Sequence, residues 1–168
     1  IKEGRTEKEI SLELEWFMQK NGAEAISFDT IVLSGKKTSM PHGVPSDKAI
    51  GSGEFVLMDF GAVVDGYHAD MTRTVCVGKP TDDMTEVYNI VLNAQETALA
   101  AARAGITGKQ LDDSARSIIT EAGYGKAFGH SLGHGVGLDI HEQPVASCIS
   151  EVVLEKNMLV TVEPGIYI

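Results

Sequence analysis

The stretch MDFGAVVDGYHADMTRTV, residues 58–75, alternates like a β-strand, breaks at Asp65-Gly66 and alternates back. An Asp-Gly pair between two alternating runs is the strongest short hairpin signal and selects a two-residue type I′ loop. With that loop fixed, Val64 faces Tyr67, Val63 faces His68 and Gly61 faces Asp70. Opposed residues, and residues two apart along a strand, project to one side of a sheet. Asp59 and Asp70 therefore share a face as diagonal neighbours, with Cβ atoms about 6–8 Å apart. Two carboxylates that close repel each other unless something cationic lies between them. The spacing suits one or two metal ions, which in paired sites lie roughly 3.5–4 Å apart. The hairpin alone leaves a second reading open, a solvated sheet edge where acids are ordinary. Asp65 needs no explanation beyond its turn.

Outward from the hairpin, the chain reads as alternating helices and strands. Thr6 followed by Glu9 is a capping-box pattern. Ile10, Leu14, Phe17 and Met18 then recur at helical spacing until Gly22. TIVLSG reads as a strand, and TSMPHGVPSDKAI as a loop punctuated by Pro41, Gly43 and Pro45. A long helix is expected over 83–104 and a second over 109–122, followed by the glycine-rich GYGKAFGHSLGHGVGLDIHE and a last strand, NMLVTVEPGIYI.

The chain also echoes itself. EGRTEKEISLELEWFMQKNGA matches AGITGKQLDDSARSIITEAGY at a shift of 101 residues, pairing Gly4 with Gly105, Thr6 with Thr107 and Gly22 with Gly123. MDFGA finds a weaker counterpart in TVEPGI, which sets Asp59 against Glu163. Two matches in the same order indicate two related halves. By that logic the helix before Gly105 calls for a partner before Gly4. Asp70 calls for a partner acid about 11–14 residues beyond Glu163. Both ends thus read as cut.

Composition bounds the function. The 168 residues are 43% hydrophobic and 23% charged, enough for one domain with a real core. A formal charge of -10 argues against nucleic acid or an anionic membrane as partner, and is compatible with binding cations. Cys76 and Cys148 form no disulfide framework, and Cys76, in the apolar run TVCVG, reads as a buried thiol. With no apolar run near 18 residues and no leader, the expectation is a soluble cytoplasmic protein.

His130, His134 and His141 fall within GHSLGHGVGLDIHE, where glycines let backbone approach a ligand closely. Their spacings of four and seven would align them on a helix, but the glycines argue for an irregular strand or loop. Glu163 lies in an apolar run just before Pro164, an awkward place for structure alone and a natural one for a metal ligand or general base. Carboxylates with some imidazole suit Mn, Fe, Co or Zn and not a thiolate site. No H-E-x-x-H, paired C-x-x-C, G-x-S-x-G elbow or phosphate-binding loop is present.

SMPHGVPSD, MDFGAVVDGYHADMTRT, GHSLGHGVGLDIHEQP and VEPGIYI occur together in this order. They resemble the creatinase/methionine aminopeptidase (M24) metallopeptidases, and within them the Xaa-Pro dipeptidases and Xaa-Pro aminopeptidases. The resemblance covers nearly the whole chain. It implies an α+β pita-bread fold, a curved, mainly antiparallel sheet flanked by helices and built from two pseudo-symmetric halves. It casts 1–168 as a single catalytic domain, incomplete at both ends and without the family's leading domain and closing strands.

The resemblance also implies roles. Asp59, Asp70, His134 and Glu163 would be ligands of two divalent ions, manganese first, with cobalt, zinc or iron as alternatives. Asp70 would bridge the ions, and His134 and Glu163 would bind the second. Glu163 would also take a proton from the attacking water. His42, His130 and His141 would hold the substrate and steady the tetrahedral intermediate. The substrates implied are short peptides with proline in second position, and the assembly a homodimer. A fifth ligand of the family, a bridging glutamate in a later strand, lies outside this chain, so the chain alone would hold metal weakly and could be inactive. Two rivals are a methionine aminopeptidase and a non-catalytic peptide- or protein-binding pita-bread domain.

Overall fold

In the computed structural model, which describes residues 1–168, Asp65 and Gly66 both take left-handed conformations, φ 51° and 77°. Those are the signs that a type I′ turn demands. The register follows as expected, with Val64 opposite Tyr67 and Val63 opposite His68. Glu24 seals the tip, its carboxylate accepting from Asp65 N at 3.1 Å and Gly66 N at 3.2 Å.

The hairpin arms are not continuous strands. Each divides between two sheets, one ordered β2-β3-β6 and one β1-β4-β5. These are β1 (Ala25–Ile26), β2 (Ile31–Ser34), β3 (Glu54–Phe60), β4 (Ala62–Val64), β5 (Tyr67–His68) and β6 (Met71–Val77). The break falls at Gly61, where a Cβ would come within 1.9 Å of Ala69 O. Asp59 thus lies inside β3, opposite Thr72, while Asp70 lies one residue ahead of β6.

The chain divides into two compact units, residues 1–82 and 83–168. The first holds α1 (Glu7–Lys20) and the two sheets, with a 3-10 turn at Gly35–Ser39. Ile10, Val32, Ile50, Val56 and Met58 form its buried core. The second holds α2 (Asp82–Ala101) but for its first residue, α3 (Gly108–Glu121), β7 (Gly133–Gly135) and β8 (Glu142–Ala146). Leu111, Ala115 and Ile119 line one face of α3 and pack with Ala94, Ala98, Phe128, Leu132 and Leu154. Each large apolar side chain so buried is worth about 1.5–3 kcal/mol.

The internal echo is real at the level of single hydrogen bonds. α1 begins with a capping box between Thr6 and Glu9, α3 with one between Thr107 and Gln110. In the first unit Gly4 N donates to Ile50 O (2.9 Å), Glu7 N to Lys48 O (3.1 Å), Lys8 N to Ser46 O (3.2 Å) and Ile50 N to Arg5 O (2.8 Å). In the second, Gly105 N donates to Leu154 O (2.8 Å), Gly108 N to Val152 O (2.9 Å), Lys109 N to Ser150 O (2.8 Å) and Leu154 N to Ile106 O (2.8 Å). Each unit latches the start of its helix to a later loop in the same way.

Two local expectations need correction. NMLVTVEPGIYI forms no regular strand, although Thr161 N and Glu163 N donate to His134 O and Leu132 O; Pro164, between such donors, has no N–H to offer on the opposite side. Cys76 is only half-buried, Cys148 is exposed, and both are free thiols. No helix is long and apolar enough to cross a membrane.

Candidate functional site

His134 occupies the middle of β7, a three-residue strand between two glycines. Gly133 is where the extended segment through Thr161 comes closest, since a Cβ there would lie 1.9 Å from Thr161 O. That approach lets Thr161 N bond His134 O at 2.8 Å and Glu163 N bond Leu132 O at 2.9 Å. The ladder sets the His134 and Glu163 side chains beside each other, Nε2 to Oε1 at 3.2 Å.

The orientation of His134 decides what that pair can do. Nδ1 lies 2.9 Å from Gly135 O, and a carbonyl only accepts, so Nδ1 carries the proton. In the neutral ring Nε2 is then an acceptor facing a carboxylate. Two acceptors at that distance need a proton or a cation shared between them. Donors each about 2.1 Å from one ion, near a right angle, are about 3 Å apart, so this pair fits adjacent positions on a metal. A ring N–H donated to a carbonyl is also the usual way a metal-binding imidazole is oriented.

Glu163 is kept ready for that task. Burial pushes its pKa up, but the hydrogen bond and charge of His134 when that ring is also protonated at Nε2, the Thr161 hydroxyl and a smaller effect of a protonated His130 outweigh it. The net shift is downward, so Glu163 is a carboxylate at neutral pH. Thr161 is the residue that sequence reading missed. Its hydroxyl donates to Glu163 Oε1 at 2.6 Å and accepts from His134 N at 3.0 Å, coupling the two. The only signal for it was its place two residues before Glu163, which in an extended segment puts both on one side.

Two further histidines gather in the same unit. The His141 ring stands edge-on to His134, with centroids 4.4 Å apart, and is exposed. His130 Nδ1 donates to Ser131 O at 2.7 Å, and its Nε2 faces the Tyr167 hydroxyl at 3.1 Å. Phe128 and Tyr167 flank the His130 ring edge-on, at 5.1 and 5.4 Å. Tyr167 was not singled out from sequence, where it reads as one more apolar residue of GIYI.

In the first unit, Asp59 accepts from the Thr72 hydroxyl at 3.0 Å, its cross-strand neighbour, and is half-buried. Asp70 is half-buried just before β6. His42 lies exposed in the loop after the 3-10 turn.

The whole chain, residues 1–168, matches metallopeptidase family M24. It is 51% identical over its full length to an Xaa-Pro dipeptidase of Pyrococcus horikoshii and covers 48% of that protein. Among solved structures, an Xaa-Pro dipeptidase from Bacillus anthracis is 54% identical with a TM-score of 0.98, the match covering 100% of this chain and 47% of that one. An X-Pro aminopeptidase from Thermotoga maritima is 53% identical, TM-score 0.97, covering 100% and 48%. The chain spans about half the length of the curated relatives it matches.

Proposed function

The chain belongs to metallopeptidase family M24, and from that membership we propose that the protein is a metal-dependent exopeptidase. It cleaves the bond between an N-terminal residue and proline. The observation that carries this reading is the His134–Glu163 pair, two acceptors held 3.2 Å apart by a strand ladder and an oriented imidazole. The identity to Xaa-Pro dipeptidases over the full chain supports the substrate class.

In this proposal Asp59, Asp70, His134 and Glu163 hold two divalent ions. Manganese comes ahead of cobalt, zinc or iron because the donors are mostly carboxylate oxygen. When bound, the ions supply Lewis acidity toward the scissile carbonyl and lower the pKa of water. The chain's own residues do the rest. Glu163, ionised at neutral pH, receives the proton of the attacking water. His130, braced by Ser131 O and Tyr167, and His141, beside His134, orient the substrate and, when protonated on the ring nitrogen that faces it, steady charge on its carbonyl oxygen. His42 contributes from its exposed loop. Proline in the leaving position has no amide N–H, so a pocket selects it by shape without providing an acceptor.

The test uses the full-length protein. Metal content is measured, and hydrolysis of Ala-Pro is compared with Met-Ala before and after chelation. The expected result is bound divalent metal, with Ala-Pro cleavage lost on chelation and restored by added manganese. Cleavage of Met-Ala alone would identify a methionine aminopeptidase instead. A protein that holds no metal would be a binding module.

A further inference from the structure

The segment from Phe128 to Leu132, which leads into β7 and carries His130, lies in no helix or strand. Apart from the bond of Glu163 N to Leu132 O, its main chain is held by one ion pair on α3. Arg116 Nη1 donates to Phe128 O at 2.9 Å and Nη2 to His130 O at 2.7 Å. Asp112 Oδ1 accepts from Leu132 N at 3.0 Å. The two side chains also grip each other, Nε to Oδ2 at 2.5 Å and Nη2 to Oδ1 at 2.9 Å. Asp112 is fully buried, Arg116 is largely so, and the guanidinium lies 4.1 Å from the centre of the Phe128 ring.

We infer that Arg116 and Asp112 are positioning residues for the reaction. They fix the backbone that presents His130 and set where β7 begins, and so where His134 meets Glu163. The inference rests on the peptidase reading above. Stability alone is a weak reason for such a pair, because removing two charges from water offsets much of their attraction. Direction is the stronger one. A guanidinium is a planar fork whose donors have fixed angles, so it sets two carbonyls and a carboxylate relative to one another. Lysine, a single rotating charge, cannot do that. The anchor itself is firm, since Leu111 and Ala115 beside the pair are core residues of a capped helix.

The pair predicts a specific kinetic defect. R116A and R116K are made in the full-length, metal-loaded protein, and kcat and KM for Ala-Pro, bound metal and thermal melting are measured. With His130 displaced by a fraction of an ångström, kcat falls about tenfold or more while KM changes little. Millimolar methylguanidine restores part of kcat to R116A, where it can fill the vacated place, and none to R116K. R116K keeps the long side chain and carries the test if R116A fails to fold. Folded R116K with wild-type kcat, even with a lowered melting temperature, would reduce the pair to a structural brace and overturn the inference. A wild-type protein inactive on Ala-Pro overturns the peptidase reading as well; an active wild type beside an unimpaired R116K overturns this inference alone.

Discussion

Thr161 is the smallest group on which the pairing of His134 and Glu163 depends. Its hydroxyl satisfies one backbone N–H and one carboxylate oxygen. Thr161→Val keeps the shape and removes both bonds, leaving His134 N without that partner and Glu163 with less reason to ionise. The expected outcome in the full-length protein is divalent-metal affinity lower by about 10–100-fold, read by titration calorimetry. The acid limb of the pH–rate profile should move upward, because a higher Glu163 pKa delays its ionisation; Thr161→Ser should restore both. At this scale the sequence makes candidates of the acids and imidazoles. Asp59 and Glu163 stand out against apolar neighbours, because charge in such a run has a cost that structure alone does not repay, and His134 stands out by its cluster among glycines. Thr161 and Tyr167 did not stand out, because a threonine or tyrosine in such a run costs nothing and carries no such mark.

Among the elements, α1 and α3 each bury a carboxylate. Asp112 does so beside Arg116; Glu7, the first residue of α1, accepts from Ser34 N (2.8 Å), Ser46 N (3.0 Å), Ser46 Oγ (2.7 Å) and Lys37 Nζ. Burial raises the Glu7 pKa, but the bonds from Lys37, Ser46 and Ser34 prevail and lower it. A carboxyl whose folded pKa lies below its unfolded value stabilises fully above the unfolded value. It loses that contribution as pH falls through the folded one. Glu7→Gln should therefore cost about 3 kcal/mol at neutral pH, as a broken buried pair does. The difference from wild type should shrink as the medium falls below about pH 4, measured by urea unfolding across that range. The capping box of α1 was legible because its partners are three residues apart. The fate of Glu7 was not, because Glu7 and Glu9 look alike in TEKE and only the fold, through Lys37 and Ser46, tells them apart. The closing run forms no regular strand for a similar reason: an apolar run marks burial, and only the fold decides whether its backbone finds a full ladder partner.

At the scale of the molecule, the repeat was the most informative thing in the sequence, because matched turns and caps fix backbone conformation whatever the side chains between them. Gly22 and Gly123 end the two helices with φ 102° and 91°, as Gly4 and Gly105 precede them with φ 85° and 94°. Hydrogen exchange on the full-length protein should find Ile50 and Leu154, the buried amides of the two latches, comparably slow, and both far slower than the exposed loop around His42. A large disparity between the two latches would mean that only one half is held this way. A backbone built twice raises the hazard of mispairing, with the helix of one copy seizing the loop meant for the other. The matched pair Glu7 and Gly108 guards against it. At Gly108 even a single added carbon would strike Val145 O of β8 at 2.3 Å and Ser150 Oγ of the loop at 2.7 Å, so a helix with a glutamate there does not fit the second loop. The second helix brings no carboxylate for Lys37 at that place. Duplicated in backbone and unlike at these two positions, the copies are poorly suited to exchange partners.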